Sequence, residues 1–264
     1  MKISFSAPTS HRGWLSERAR KWLIIVTLVF YGQAIAISCS IRYGFLVDSF
    51  ASRNVPGKVY GSLSSSLFIG YCAVFFSGLT ERIMKKVRSR NLLAGIMFGY
   101  VVLNLITGLV YRIENTTVVV AISFFLRILQ GIFAYPGYLV PLDFINANLG
   151  KKFDFVNGLL NAGYFTGYGL AEVSGCGIYD HLGYNAAFVF SAGVALLSVI
   201  LIMCIIPNTE TYLSSASNTS SQEVVEKGAT SDQLRLSKFL LIPLIATMCI
   251  NASYGVLQVN IMLI

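Results

Sequence analysis

Two stretches of this chain, residues 23–30 and 188–206, are apolar on almost every side. A run of that kind cannot turn one face to water and the other to a core, whether it coils as a helix or extends as a strand, so its surroundings must be apolar all round. Transmembrane β-strands would instead show alternating polarity over segments of about ten residues. The remaining option is a set of helices that satisfy their own backbone hydrogen bonds in lipid. Composition agrees, because charged residues make up 12% of the chain and hydrophobic ones 55%, whereas a soluble domain is about one quarter charged. At a mean hydropathy of +0.67, too few polar side chains are available to cover a soluble fold of this length.

Stretches of about twenty apolar residues predict seven spans, over 22–44, 58–80, 91–111, 118–141, 155–178, 185–206 and 239–262. The first, second and fifth are the more polar, carrying Gln33, the serines 62 and 64–66, and Glu172. Such polar faces are expected to look at protein or water. The first apolar run begins near Trp22, continues past the length of a signal-peptide core, and lacks a small-residue cleavage site after it. It reads as a retained helix.

Basic residues fall unevenly among the connections. The tail over 1–21 and the second, fourth and sixth connections hold fifteen of them, among them Arg82, Lys85, Lys86, Arg88 and Arg90, whereas the other connections hold Arg53, Lys58 and Arg112, with Arg42 near the end of the first span. By the positive-inside rule this places the N-terminus in the cytosol. The net charge of +8 is then an orientation signal, and nucleic acid is not needed to explain it. Residues 207–238 form a Ser-, Thr-, Asn- and Glu-rich stretch expected to be a flexible cytosolic linker. The organisation expected is therefore a tail (1–21), a six-helix bundle (22–206), the linker (207–238) and a seventh helix (239–264). Because the last apolar run reaches Ile264 with no polar residues after it, the expectation is a truncated form of a longer chain.

Several polar side chains stand at membrane depth. Arg127 lies well inside the fourth span, where an arginine costs several kcal/mol unless it faces a cavity or a partner. Glu172 lies among small residues in GYGLAEVSGCGIY, a setting that favours close helix packing and makes it a candidate for gaining and losing a proton. Gln33, Gln130, Tyr135, Tyr164 and Tyr168 could line a cavity for an organic cation held by cation–π contact, although aromatic residues at helical spacing also serve as packing. Asn115-Thr116-Thr117 is a glycosylation sequon in a short connection on the expected non-cytosolic side. The five cysteines read as buried small hydrophobes, with no disulfide framework and no metal site. Nucleophile-elbow, zinc-protease and phosphate-loop motifs are absent from the sequence, so an enzyme is not expected, nor a cofactor.

Three further runs carry a family likeness. Leu126-Arg127-Ile128-Leu129-Gln130-Gly131 resembles the fourth-helix signature R-x-x-Q-G of the major facilitator superfamily, and residues 77–86 are similar to its connection between the second and third helices, G-x-L-A-D-R-x-G-R-K. In the latter, Ser77 and Met84 take glycine positions and Glu81 the aspartate position. Gly167, Ala171, Glu172, Gly175 and Cys176 fall on the antiporter pattern G-x-x-x-G-P-x-x-G-G, with Ala171-Glu172 in place of the Gly-Pro pair. The run GIYDHLGYNAAF looks like the next connection of vesicular amine transporters. The chain thus resembles the proton-coupled antiporters of that superfamily, over about residues 20–262, as an N-terminal six-helix half plus the seventh helix of twelve.

The resemblance implies an all-α membrane bundle that moves a small organic solute, an organic cation or amine, in exchange for protons, in a vesicular or plasma membrane. It implies that Arg127 and Glu172 couple protons to the solute, that Leu79, Glu81, Arg82, Lys85 and Lys86 form a cytosolic gating motif, and that Gly167, Ala171 and Gly175 pack helices. A half bundle by itself is expected not to transport. One alternative is a carrier of organic anions such as monocarboxylates, to which Tyr135-Pro136 and the run RYGFLVDSF also bear some likeness, with Arg127 holding the anion. Others are a seven-helix receptor, which the basic N-terminal side opposes, and a non-transporting truncated isoform.

Overall fold

A computed structural model describes residues 17–208, and within them every side chain except those of residues 17, 41–48, 64 and 151. The tail before residue 17, the linker from residue 209 onward and the expected seventh span lie outside the described residues. What is described is helical, from α1 (Glu17–Ala51) and α2 (Gly57–Ser77) through the short α3 (Leu79–Met84) to α4 (Ser89–Val110), α5 (Thr116–Leu149), α6 (Phe153–Leu182) and α7 (Tyr184–Ile205). The six long helices match the first six predicted spans. α3 was not expected, and it occupies the connection that carries the proposed gating motif.

Helix ends depart from the predicted spans for a physical reason. α1 runs 35 residues and α5 34, about 50 Å each at the α-helical rise, well over the ~30 Å of a bilayer's hydrocarbon. Each continues into the interfacial region with residues that a hydropathy window rejects but a helix accepts, such as Arg18, Arg20 and Lys21 in α1. Breaks are set locally. Gly78 adopts a left-handed φ of +61° between α2 and α3, a conformation glycine takes without a Cβ penalty. Asn115 caps α5, its Oδ1 accepting from the N–H groups of Thr117 at 3.0 Å and Val118 at 3.3 Å.

α1, α2, α4, α5 and α7 are long and apolar enough to cross a membrane. α6 is also long, at 30 residues, but it carries Asn157, Asn161, Thr166, Glu172 and Asp180 and needs protein along one side. α1 provides it. At Gly163 an added Cβ would come within 2.7 Å of the Val29 carbonyl oxygen, and at Gly167 within 2.7 Å of that of Gln33. Ala171 and Gly175 continue this buried stripe, and Ala171 packs with Ile37 and Phe188. α2 and α5 approach more closely still. A Cβ on Gly70 would overlap the Ile128 carbonyl, and one on Gly131 the Leu67 carbonyl, so the two backbones meet reciprocally.

The core between these helices is built from Leu28 and Tyr31 of α1, Met97 and Tyr100 of α4, Val140 and Phe144 of α5, Leu160 of α6 and Ala195 of α7. Outward faces are apolar, as at Phe125, Phe165 and Val173, which suits lipid contact. Cysteines divide between the two environments. Cys39 is buried and Cys72 partly so, but Cys176 and Cys204 lie on the outer surface, correcting the expectation of uniform burial. A thiol is apolar enough for either place.

Candidate functional site

The signature turn of α5 is held against α1 and α2 at once. Arg127 Nη1 donates to the Cys39 carbonyl at 3.1 Å and to Gln130 Oε1 at 2.7 Å, and Gln130 Nε2 donates to the Ser38 carbonyl at 3.0 Å. Gln130 is fully buried, so these bonds remove polar groups that would otherwise be costly in the bundle interior. Gly131, one residue on, is where α2 comes in. The spacing of Arg, Gln and Gly at i, i+3 and i+4 therefore has a packing reason, since one helical turn meets two neighbours.

α6 reaches the same part of α1 from another side. Glu172 accepts a hydrogen bond from Ser40 Oγ at 3.1 Å. Arg127 and Glu172, 45 residues apart in sequence, thus engage consecutive residues of α1, Cys39 and Ser40. Tyr168, one turn before Glu172 on α6, interacts electrostatically with Arg127 and Cys39. Gln33 donates to Thr166 Oγ1 at 3.1 Å, about two turns further toward the N-terminus of α1.

Other candidates take different places. Tyr164 donates to the Gly137 carbonyl at 3.1 Å and has Tyr138 beside it, with ring centroids 6.0 Å apart. Tyr135 turns to α2, lying edge-on to Tyr71 at 5.1 Å and to Phe75 at 5.5 Å. It sits eight residues beyond Arg127, about 12 Å along α5, and its electrostatic neighbour is Glu81. Among the cavity candidates, Gln33, Gln130, Tyr164 and Tyr168 therefore gather where α1 meets α5 and α6, whereas Tyr135 belongs with the rings of α2. Leu79, Glu81, Arg82, Lys85 and Lys86 are all exposed on or just after α3, which is anchored by buried Thr80 and Met84. A recess of about 490 Å³ opens beside Trp22, Lys152, Asp154 and Phe155, and none of the residues just described lines it.

Sequence reasoning missed the groups that complete this arrangement. Ser38 is a junction, its hydroxyl accepting from Asn104 Nδ2 at 3.2 Å while its carbonyl takes Gln130. Asn104 also donates to Ser191 at 2.9 Å, so a fully buried polar triad joins α1, α4 and α7 directly behind the signature turn. Serines and an asparagine within apolar runs give little warning, because a small polar side chain can bond within its own helix, as Thr107 does to the Leu103 carbonyl.

Comparison with known proteins places these observations. No curated protein and no solved structure gives a significant match to the chain. The family model described as Major Facilitator Superfamily matches residues 23–264, which takes in the Arg127 turn, the α3 connection and the α1–α6 seam. The chain belongs to the Major Facilitator Superfamily, and is a multi-pass protein of that family of membrane transporters.

Proposed function

We propose that this chain forms the N-terminal six-helix half of a transporter that exchanges protons for a small organic cation by alternating access, with its basic connections in the cytosol and a vesicular or plasma membrane as its site. The observation that carries this reading is the convergence of Arg127 and Glu172 on Cys39 and Ser40 of α1. A carboxylate accepting from Ser40 is a single negative site that can be neutralised by a proton or by a bound cation. Occupancy by one disfavours the other, which is the elementary requirement for exchange. Tyr168 and Tyr164 supply aromatic faces near that carboxylate's helix turn, and Arg127 brings a positive charge to the same stretch of α1. Superfamily members place the solute near the midplane between two halves. Residues 207–238 would be the linker between them, and 239–264 the start of the second.

The test is uptake of radiolabelled tetraethylammonium, with lactate as the anion control, into proteoliposomes holding the full-length protein under an imposed pH gradient. The reading expects tetraethylammonium uptake that follows the gradient and that loses its pH dependence in Glu172→Gln. Gradient-driven uptake that is unchanged in Glu172→Gln would sink the role given to that residue. Lactate uptake that depends on Arg127 would replace the cation reading with the anion one, for which a half-buried guanidinium is the supporting feature.

A further inference from the structure

Proline leaves a gap in α5 that the rest of the fold fills. In an α-helix the carbonyl of residue i accepts from the N–H of residue i+4, and residue 141 is a proline inside α5, which has no N–H to give. The carbonyl four residues earlier belongs to Gly137. That oxygen accepts from two side chains, Tyr31 of α1 at 3.1 Å and Tyr164 of α6 at 3.1 Å. Gly137 is itself buried, with Ile35 and Tyr31 close against it, so water is poorly placed to satisfy it. One backbone oxygen therefore carries ties to two other helices.

We propose that Pro141 converts the Gly137 carbonyl into a shared anchor, in which the Tyr31 hydroxyl is the fixed tie and the Tyr164 hydroxyl the breakable one that sets the spacing of α6 against α5. The asymmetry is in the surroundings. Tyr31 is fully enclosed in the core, and α1 and α5 are further joined through Arg127 and Gln130. Tyr164 retains partial exposure and neighbours Tyr138 and the exposed Tyr168. A carbonyl with two lone pairs and two donors can release one and remain satisfied. Release of Tyr164 thus removes the tie of α6 to α5 while the Gly137 carbonyl stays satisfied by Tyr31, leaving the contacts of α6 with α1, among them Gln33–Thr166 and Ser40–Glu172, to set where Tyr168 and Glu172 lie. The inference holds whatever solute is carried.

The experiment uses the full-length protein in detergent and reads two quantities, the thermal midpoint and the rate at which maleimide alkylates Cys39, followed by peptide mass spectrometry. Cys39 is buried on α1 beside Arg127 and reports opening of the seam. Tyr164→Phe is expected to lower the midpoint by about 3 °C and to speed Cys39 alkylation severalfold. In a Pro141→Ala background, where residue 141 regains an N–H for Gly137, both effects are expected to vanish. Should Pro141→Ala fail to accumulate, the pair Tyr31→Phe and Tyr164→Phe decides. Removing both donors should lower the midpoint by more than the sum of the single changes, because only then is the buried carbonyl left bare. Effects of Tyr164→Phe that persist undiminished with Pro141→Ala, or a strictly additive double change, would overturn the proposal.

Discussion

Asn104 is fully buried in the bundle and donates to two hydroxyls, those of Ser38 and Ser191. Replacing it with alanine leaves both without that donor in a site from which water is excluded, at a cost of about 1–3 kcal/mol, and thermal unfolding in detergent should show that loss. The effect should spread to the signature turn, since Ser38 also receives Gln130. Ser191→Ala, which removes one arm only, should cost less. Arg127 and Glu172 stood out in the sequence because a charge in an apolar run calls for a partner, whether its role is functional or structural. Their partners were not, since Cys39 offers a backbone carbonyl and Ser40 is an ordinary helix residue. A carbonyl has no signature in sequence, except where a proline four residues on deprives it of its donor, and the spacing of Gly137 and Pro141 was such a signal.

Between elements, the backbones of α2 and α5 meet at Gly70 and Gly131, and neither position has room for a methyl group. Gly131→Ala should destabilise the protein by about 1–3 kcal/mol through overpacking, measured again as thermal unfolding. Gly193→Ala on α7, where a Cβ meets nothing, should be neutral or should stabilise by up to about 1 kcal/mol. Asn115→Ala should cost about 1 kcal/mol by removing the cap of α5. If capping is the whole of its role, glycosidase treatment of protein from eukaryotic cells should leave the electrophoretic mobility unchanged, and a shift lost in Asn115→Ala would establish a glycan there. The existence and order of the six long helices were readable because five are long apolar runs and the sixth, α6, is interrupted only by scattered polar residues. Their lengths and α3 were not, because interfacial helix carries charge and a six-residue helix has too few turns to show a period. The α1–α6 seam was half visible as a stripe of small residues, but which helix it met depended on packing between segments more than a hundred residues apart.

For the molecule as a whole, the proposed orientation rests on the distribution of charge, which assigns residues 82–90 and 151–152 to the cytosolic side and Arg53 and Arg112 to the other. A small epitope inserted after Lys86 should be reached by antibody only in permeabilised cells, and one inserted after Asn54 only if the corresponding face is outside the membrane compartment tested. The reverse pattern would overturn the cytosolic assignment of the N-terminus. The polar character of α6 has a consequence for how the bundle is made. A segment entering lipid during synthesis is sorted by its own hydropathy, and α6 is not among the helices apolar enough to cross on that criterion. Its settlement in the bilayer should therefore wait on α1, already in place and offering the groove into which Gly163 and Gly167 fit. Bulk introduced at either glycine would then act during biogenesis, leaving α6 stranded outside the bilayer and the chain from there onward inverted, a failure of assembly that would show as reversed accessibility of an epitope placed after α6.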